Sequence, residues 1–353
     1  MSQSAYKVEI EGSEIEFQVK PNETIVKAAA RQGISFPSLC NVGECGSCRC
    51  TLKTGRIKLK KDVSHHIAPH QLKLGHMLGC QSLAQSDVVL NVPTLSPPQD
   101  SACDPVQSAG VIKSIRPLND DIVEVTIELE KPVNYRAGQY AHLTLPQVEG
   151  LNAVPRSYSF ASGQGSRDPH RVTFHIRKVP GGAFTSWLFE EDRLGAECFF
   201  SGPFGDFGWQ EGRQKPLFIA GGSGFSPIQA LLENCLENSG PQDAVLIYGA
   251  RTRKDVYCLS RVGEMQKIWP GSLTFIPVLS QEPEDSDWPG ARGFVHDILS
   301  APVVNASERT AYMCGPPPMI DACLEVLSPM IAPEKIHYDK FLDRSHMEAL
   351  AQE

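Results

Sequence analysis

Apolar and polar residues alternate over Tyr6–Ile10 and again over Glu14–Val19, on either side of Gly12-Ser13, a pattern that predicts a β-hairpin. Val8 and Ile10 are expected on one face, and Ile15, Phe17 and Val19 on another. The period then lengthens. Ile25, Ala28 and Ala29 recur at helical spacing, Asn22 or Thr24 can cap the start, and Gly33 stops the run, so a small α+β unit precedes the first cysteine. Between Pro93 and Pro105 four prolines sit among Ser, Gln and Asp with almost no apolar period, which reads as a linker. Beyond it, Val123–Leu129, Gln139–Leu145, Val172–Ile176 and Glu197–Phe200 are short β-rich runs with Gly or Pro between them, as in a small barrel. A second boundary falls in Gly202–Gln214, after which strands alternate with helices and predict a parallel sheet. The expected division is therefore 1–100, 101–212 and 213–353, with no internal repeat.

Composition changes this picture in two places. The net charge of −8 argues against broad nucleic-acid binding, and it is unevenly spread: +2 over residues 1–100, −4 over 101–212 and −6 over 213–353. Eleven cysteines are an odd number, and no secretory pattern opens the chain, so a disulfide framework is not the natural reading. No apolar run approaches the ~18 residues that would cross a bilayer. The expectation is a cytoplasmic monomer, without membrane or nucleic-acid partners, whose thiols serve something else.

Cys40, Cys45, Cys48 and Cys80 have the spacing Cys-x4-Cys-x2-Cys-x31-Cys, in which one short loop gathers three thiolates and a distant element supplies the fourth. Plant-type [2Fe–2S] sites use that arrangement. Gly43 and Gly46 within the loop permit backbone N–H groups to turn toward sulfide. Structural zinc is the competing reading, but zinc sites usually show paired Cys-x2–4-Cys knuckles and only one such pair exists here. Cys50, Cys103, Cys198, Cys235, Cys258 and Cys323 lack ligand spacing and read as core or surface thiols. After the cluster loop, Lys53, Arg56, Lys58, Lys60 and Lys61 form a basic run. Such a run is ordinarily a solvated face, with long-range steering toward an acidic partner as the functional alternative.

Two further motifs suit phosphates. Arg156-Ser157-Tyr158-Ser159 places a guanidinium, a ring and a hydroxyl on a strand, and Gly181-Gly182 followed by Thr185 looks like a turn opening a helix whose free N–H groups could hold a pyrophosphate. Each alone is more often plain β-structure or a plain turn. In the last segment the strand Leu217–Ala220 runs into Gly221-Gly222-Ser223-Gly224-Phe225-Ser226-Pro227 and a helix, an anion cradle in which Ser226 is expected to cap and Pro227 to take the first helical position. The loop departs from Gly-x-Gly-x-x-Gly by ending on Pro227. A second strand–turn–helix runs through Cys314-Gly315-Pro316-Pro317, where Cys314 is either a crevice-lining thiol or a small buried one. After the strand Ala244–Tyr248 no clear acid stands ready for a ribose, and Arg251 and Arg253 instead offer guanidinium groups to a 2′-phosphate.

The cluster cysteines, Arg156-Ser157-Tyr158-Ser159, Gly221-Gly222-Ser223-Gly224 and Cys314-Gly315-Pro316-Pro317, in this order, resemble the ferredoxin–NAD(P)H reductase superfamily, and more narrowly the iron–sulfur flavoprotein reductases of bacterial multicomponent oxygenases acting on aromatic or aliphatic hydrocarbons. The resemblance covers nearly the whole chain. It implies a multi-domain α+β, β and α/β fold: an N-terminal β-grasp ferredoxin, a six-stranded antiparallel FAD-binding barrel and a Rossmann-like NAD-binding parallel sheet. It implies that Arg156 contacts the flavin phosphate, Tyr158 packs on the isoalloxazine, Ser159 lies near its N5, and Gly182 with Thr185 holds pyrophosphate. Cys314 would stand beside the nicotinamide, and Phe341 would cover the other flavin face. Ser157, His175, Gly181, Gly221, Gly222, Ser223, Gly224, Pro227, Arg251, Gly315 and Pro316 complete the expected cofactor-binding set. Nicotinamide gives two electrons at once and a [2Fe–2S] centre takes one, so a flavin between them must split the pair. The expected route runs from NADH, with NADPH as the alternative donor, through FAD and the cluster to an oxygenase or hydroxylase component or a Rieske-type ferredoxin. The competing functions are a reductase for a ferric chelate, haem protein or small molecule, and a redox sensor.

Overall fold

The computed structural model describes residues 5–34, 36–38, 43, 48–60, 63, 67, 69–92, 105–148, 151, 155–163, 168–205, 207–210, 215–237 and 243–341. Cys40, Cys45, Lys61, Cys103, most of the proposed linker and the tail after Phe341 lie outside them. Two compact units emerge: one takes in the described residues up to Pro105 together with Phe204 and Gly205, and the other is made of Val106–Pro203 and Phe207–Phe341.

In the first unit the strands are β1 (Tyr6–Ile10), β2 (Glu16–Val19), β3 (Arg49–Thr54), β4 (Ile57–Leu59), β5 (His76–Leu78), β6 (Ser82–Ala84) and β7 (Val88–Asn91). The helices are α1 (Ile25–Arg31) and α2 (Pro69–Lys73). The main sheet has the order β2-β1-β7-β3-β5, with β7 parallel to β1, and β4 pairs with β6 separately. The expected hairpin is present, but its faces differ from the expectation. Cross-strand partners share a face, and the register sets Val8 against Phe17 and Tyr6 against Val19, so Val8, Ile10, Phe17 and Val19 enter one core together. Counting parity along one strand cannot reveal this, because the turn decides how the two strands are phased. α1 buries Ile25, Val26, Ala28 and Ala29 on that core. Thr24 is its N-cap without a side-chain bond, and Asn22 takes a left-handed φ of 62° in the preceding turn rather than capping.

The second unit opens with β8 (Val106–Pro117), β9 (Ile122–Leu129), β10 (Tyr140–Thr144), β11 (Arg156–Ser159), β12 (Arg171–Arg177) and, after α3 (Ala183–Glu190), β13 (Glu197–Phe204). The order β11-β10-β13-β8-β9-β12 is closed by an antiparallel bridge from Phe160 to Phe174. Phe160, Phe174 and Phe200 fill the barrel, with the first two rings stacked at 5.3 Å. The longest strand, β8, is absent from the apolar pattern because its inward positions are Ser108, Gly110 and Ile112, of which one alone is large and apolar.

β14 (Pro216–Gly221), α4 (Phe225–Glu237), β15 (Asp243–Ala250), α5 (Leu259–Ile268), β16 (Ser272–Leu279), β17 (Ala291–Arg292), β18 (Thr310–Gly315), α6 (Pro317–Leu327) and β19 (Ile336–Lys340) complete the chain. The sheet order is β17-β16-β15-β14-β18-β19, parallel throughout. Residues of β14 are buried end to end, as expected of a central strand with both faces covered. The order reverses at β14: β15 lies on one side and β18 on the other, so a crevice opens at their C-terminal ends.

Truncating Phe174 to Ala should cost about 3–5 kcal/mol of barrel stability, since the ring is fully buried between two others. Urea denaturation followed by intrinsic fluorescence measures it; a loss below ~1 kcal/mol would mean the barrel core is not packed as described.

Candidate active site

The register of β3 against β5 sets Arg49 opposite Leu78, so Cys48 falls opposite Gly79, and Cys80, the next residue, comes beside Cys48. The Gly79 amide donates to the Cys48 carbonyl at 2.9 Å. The Cys80 amide donates to Cys48 Sγ at 3.5 Å, and Gln81 Nε2 donates to Cys80 Sγ at 3.6 Å. Amide donors aimed at buried sulfur favour thiolates, so these two residues fit an iron–sulfur cluster. Cys50, two residues on, differs: burial, and then the neighbouring Cys80 sulfur, push its thiol up to about 12, and it stays a protonated core group. Lys53, Arg56, Lys58 and Lys60 are exposed, Lys53 pairing with Glu11 at 3.4 Å.

In the barrel, β11 pairs with β10, bringing Ser157 opposite His142 with 3.2 Å between Ser157 Oγ and His142 Nδ1. Tyr158 leans on Phe184 at 5.4 Å, and burial raises its phenol above the ordinary tyrosine range. The Arg156 guanidinium bonds the Pro155 carbonyl at 3.3 Å. Gly182 is the N-cap of α3, and Gly181 before it has φ of 68° with open space where a Cβ would stand. Thr185 is buried and bonded to the turn itself: its Oγ1 accepts the Val179 amide at 3.1 Å and lies 3.1 Å from the Gly182 carbonyl. The glycine turn thus leaves the first N–H groups of α3 as an anion site, with Thr185 bracing it.

At the crevice, β14 ends on Gly221 and β18 on Gly315, and a 3-10 turn, Gly222–Gly224, leads from the first into α4. Gly224 lies so close to β18 that a Cβ would stand 2.3 Å from the Cys314 carbonyl oxygen, so no other residue fits there without moving backbone. Cys314 is fully buried, level with Ala220 on β14 and Asp339 on β19. Burial, and then the Asp339 carboxylate, hold its thiol well above the ordinary range, so it remains protonated and uncharged at the strand end. The Phe341 amide donates to the Gly315 carbonyl at 2.8 Å, and its ring packs on the cluster that contains Cys314.

Two expectations fail here. α4 begins at Phe225, not after Ser226, so Pro227 is its third residue. Ser226 does not cap it: the hydroxyl donates to the Ser159 carbonyl at 2.8 Å and accepts the His175 amide at 3.4 Å, tying the flavin-type strand to the glycine loop. Cap grammar sees a Ser before Pro; it cannot see a strand 67 residues earlier with a carbonyl to satisfy. Likewise Arg251 is already engaged. Its guanidinium meets Asp121 at 3.1 Å and Asp255 at 2.7 Å, while Arg253 meets Asp287 at 2.6 Å and its amide donates to Glu282 at 2.9 Å. The acids missing from the end of β15 are supplied in space, by a barrel turn, by the Thr252–Asp255 capping box and by the loop after β16.

Comparison with known proteins assigns three successive stretches of the chain to families. Residues 8–85 match the family described as 2Fe-2S iron-sulfur cluster binding domain, 110–209 the oxidoreductase FAD-binding domain and 218–325 the oxidoreductase NAD-binding domain. The chain is 33% identical over 338 residues to the xylene/toluene monooxygenase electron transfer component of Pseudomonas putida, covering 96% of this chain and 94% of the relative. The chain is a ferredoxin/FAD/NAD-binding reductase, homologous to the electron-transfer components of multicomponent oxygenases. Among solved structures, the reductase resembles a ferredoxin reductase in carbazole 1,9a-dioxygenase, at 28% identity and TM-score 0.75, covering 96% of this chain and 98% of that one. It also resembles an Amycolatopsis cytochrome P450 reductase, at 26% identity and TM-score 0.82, covering 95% and 98%. The reductase passes electrons from NAD(P)H through FAD and a [2Fe–2S] cluster to an oxygenase component. No helix among the described residues is long and apolar enough to cross a membrane.

Gly224→Ala should raise KM for the nicotinamide donor at least about tenfold, because the new Cβ must displace either the loop or the Cys314 strand. Steady-state kinetics checks it; an unchanged KM would mean the close approach does not shape the nucleotide site.

Proposed function

We propose that the reductase divides its work along its length at 1–100, 101–212 and 213–353, with Cys40, Cys45, Cys48 and Cys80 as the iron ligands. The FAD is held by Arg156, Ser157, Tyr158 and Ser159 on β11 and by Gly181, Gly182 and Thr185 at α3. The dinucleotide lies along Gly221–Gly224 and Pro227, with its nicotinamide between Cys314-Gly315-Pro316 and Phe341. Bound there, FAD supplies two-electron uptake with one-electron release, and the cluster supplies one-electron carriage. What the chain contributes is placement. The Ser226–Ser159 bond, which joins the strand of one cofactor to the loop of the other, is the observation that carries this reading. Cys314, small, neutral and buried, offers an uncharged wall against which a nicotinamide ring can rest while water is excluded.

The donor is NADH. A 2′-phosphate needs unpaired guanidinium groups, and both arginines after β15 already face carboxylates. The acceptor is the oxygenase component itself, because the reductase already carries its own one-electron exit and needs no Rieske-type ferredoxin in between. The reductase works as a monomer in the cytoplasm. The relative described as a cytochrome P450 reductase makes a haem protein the second acceptor class.

Measured side by side, kcat/KM for NADH should exceed that for NADPH by at least about tenfold; a preference for NADPH would overturn the donor assignment. Cys80→Ser should remove the visible iron–sulfur absorbance and abolish reduction of the oxygenase, while NADH still bleaches the flavin. Persistence of the cluster in that variant would refute the ligand set.

A further inference from the structure

A chain of polar side chains crosses the second unit where neither glycine motif accounts for it. Along β12, Val172, Phe174 and Ile176 point into the barrel, which turns His175 outward toward the parallel sheet. His175 is nonetheless 5% exposed, because Phe225 stacks on it at 6.4 Å and Tyr257 stands edge-on at 5.5 Å. Its Nδ1 lies 3.2 Å from the Tyr257 hydroxyl. Its Nε2 lies 3.6 Å from the carboxylate of Glu124, the residue opposite it on β9. The Tyr257 hydroxyl also reaches the carbonyl of Gly222 at 3.3 Å, as does the hydroxyl of Tyr248. The other oxygen of Glu124 is held by Arg116 at 3.0 and 3.1 Å. His175 above all, and Arg116 against the opposing effect of burial, hold Glu124 below the usual carboxylate range.

The proton count ties these groups together. A phenol has one hydrogen. When Tyr257 gives it to the Gly222 carbonyl, the hydroxyl can only accept from Nδ1–H of His175. When Tyr257 gives it to Nδ1, the imidazole turns its remaining hydrogen toward Glu124 and Gly222 is left to Tyr248. In either arrangement the Gly222 carbonyl keeps a phenol donor, from Tyr257 or from Tyr248, and His175 Nδ1 keeps the Tyr257 hydroxyl as its partner, with the Glu124 carboxylate beyond Nε2 at ion-pair rather than hydrogen-bond distance. The bonds that are made, Nδ1 of buried His175 to Tyr257 and the two phenols to the Gly222 carbonyl, are costly to lose in an apolar seam, so they favour one placement of the loop against β12.

We propose that Glu124, His175 and Tyr257 form a positioning relay that fixes the Gly222 carbonyl, and with it the nucleotide loop, so that dinucleotide affinity depends on barrel residues that never touch the dinucleotide. The relay rests on the reading of Gly221–Gly224 as the nucleotide site. It also reassigns His175, expected from the sequence to bind a cofactor, because its ring nitrogens face Tyr257 and Glu124. None of the three is a catalytic residue.

The test is NAD+ binding to the holoprotein, with FAD and cluster in place, by calorimetry. Tyr257→Phe, which keeps the ring packing and deletes one hydroxyl, should weaken Kd about tenfold, and His175→Leu at least as much. His175→Gln, which keeps a side-chain N–H, should stay within about threefold of wild type. The flavin and iron absorbance should be unaltered in all three, and in turnover the loss should sit in KM for NADH more than in kcat. Wild-type affinity in both Tyr257→Phe and His175→Leu would overturn the relay while leaving the nucleotide site standing; should His175→Leu not fold, Tyr257→Phe decides. Absence of NAD+ binding by the wild-type protein would remove the nucleotide reading, and the relay with it.

Discussion

One buried hydrogen bond, from the Ser226 hydroxyl to the Ser159 carbonyl, sets the barrel against the parallel sheet at the proposed meeting place of the two cofactors. Hydride passes only between groups in near contact, so the flavin strand and the nucleotide loop have to be held in one relation. A surface ion pair is too weak for that, being worth about 0–1 kcal/mol when exposed. A buried hydroxyl facing a buried carbonyl is more demanding, because neither group tolerates losing the other. The Arg251–Asp121 pair, half exposed, adds charge complementarity along the same seam without being able to enforce it.

The same economy appears at the crevice. Gly224 and Cys314 come so close that backbone touches backbone, and the turn after β14 and the end of β18 are held at a separation a side chain would spoil. Cys314 then needs no reactivity to be useful. Its thiol stays protonated because charge is expensive at that depth, and a small neutral surface results. At the other end of the chain the logic reverses: Cys48 and Cys80 lie among amide donors that welcome a charged sulfur, and Cys50, two residues away, does not.

How much of this was legible in the sequence follows from how local each feature is. The cluster spacing is written in one loop plus one distant cysteine, and the nucleotide loop in a single strand–glycine–helix run, so both could be read directly. The architecture followed from the switch between strand-only and strand–helix patterning. The hairpin faces were misjudged because phasing belongs to the turn, and β8 was missed because its core positions are small or polar. Ser226 was misread for a deeper reason: its partner is 67 residues away, as that of His175 is 82 away and that of Arg251 is 130 away. The bonds that make a site out of two motifs join the motifs' neighbours, and no local pattern records them.

Electrons reach the cluster only by way of the flavin, since a hydride donor and a one-electron acceptor cannot exchange directly. Anaerobic stopped-flow mixing with NADH, following cluster absorbance in the holoprotein and in a flavin-depleted form of it, tests this most directly. Cluster reduction should be rapid in the holoprotein, absent on that timescale without FAD, and restored when FAD is returned. Equally rapid reduction of the cluster in the flavin-depleted protein would contradict it.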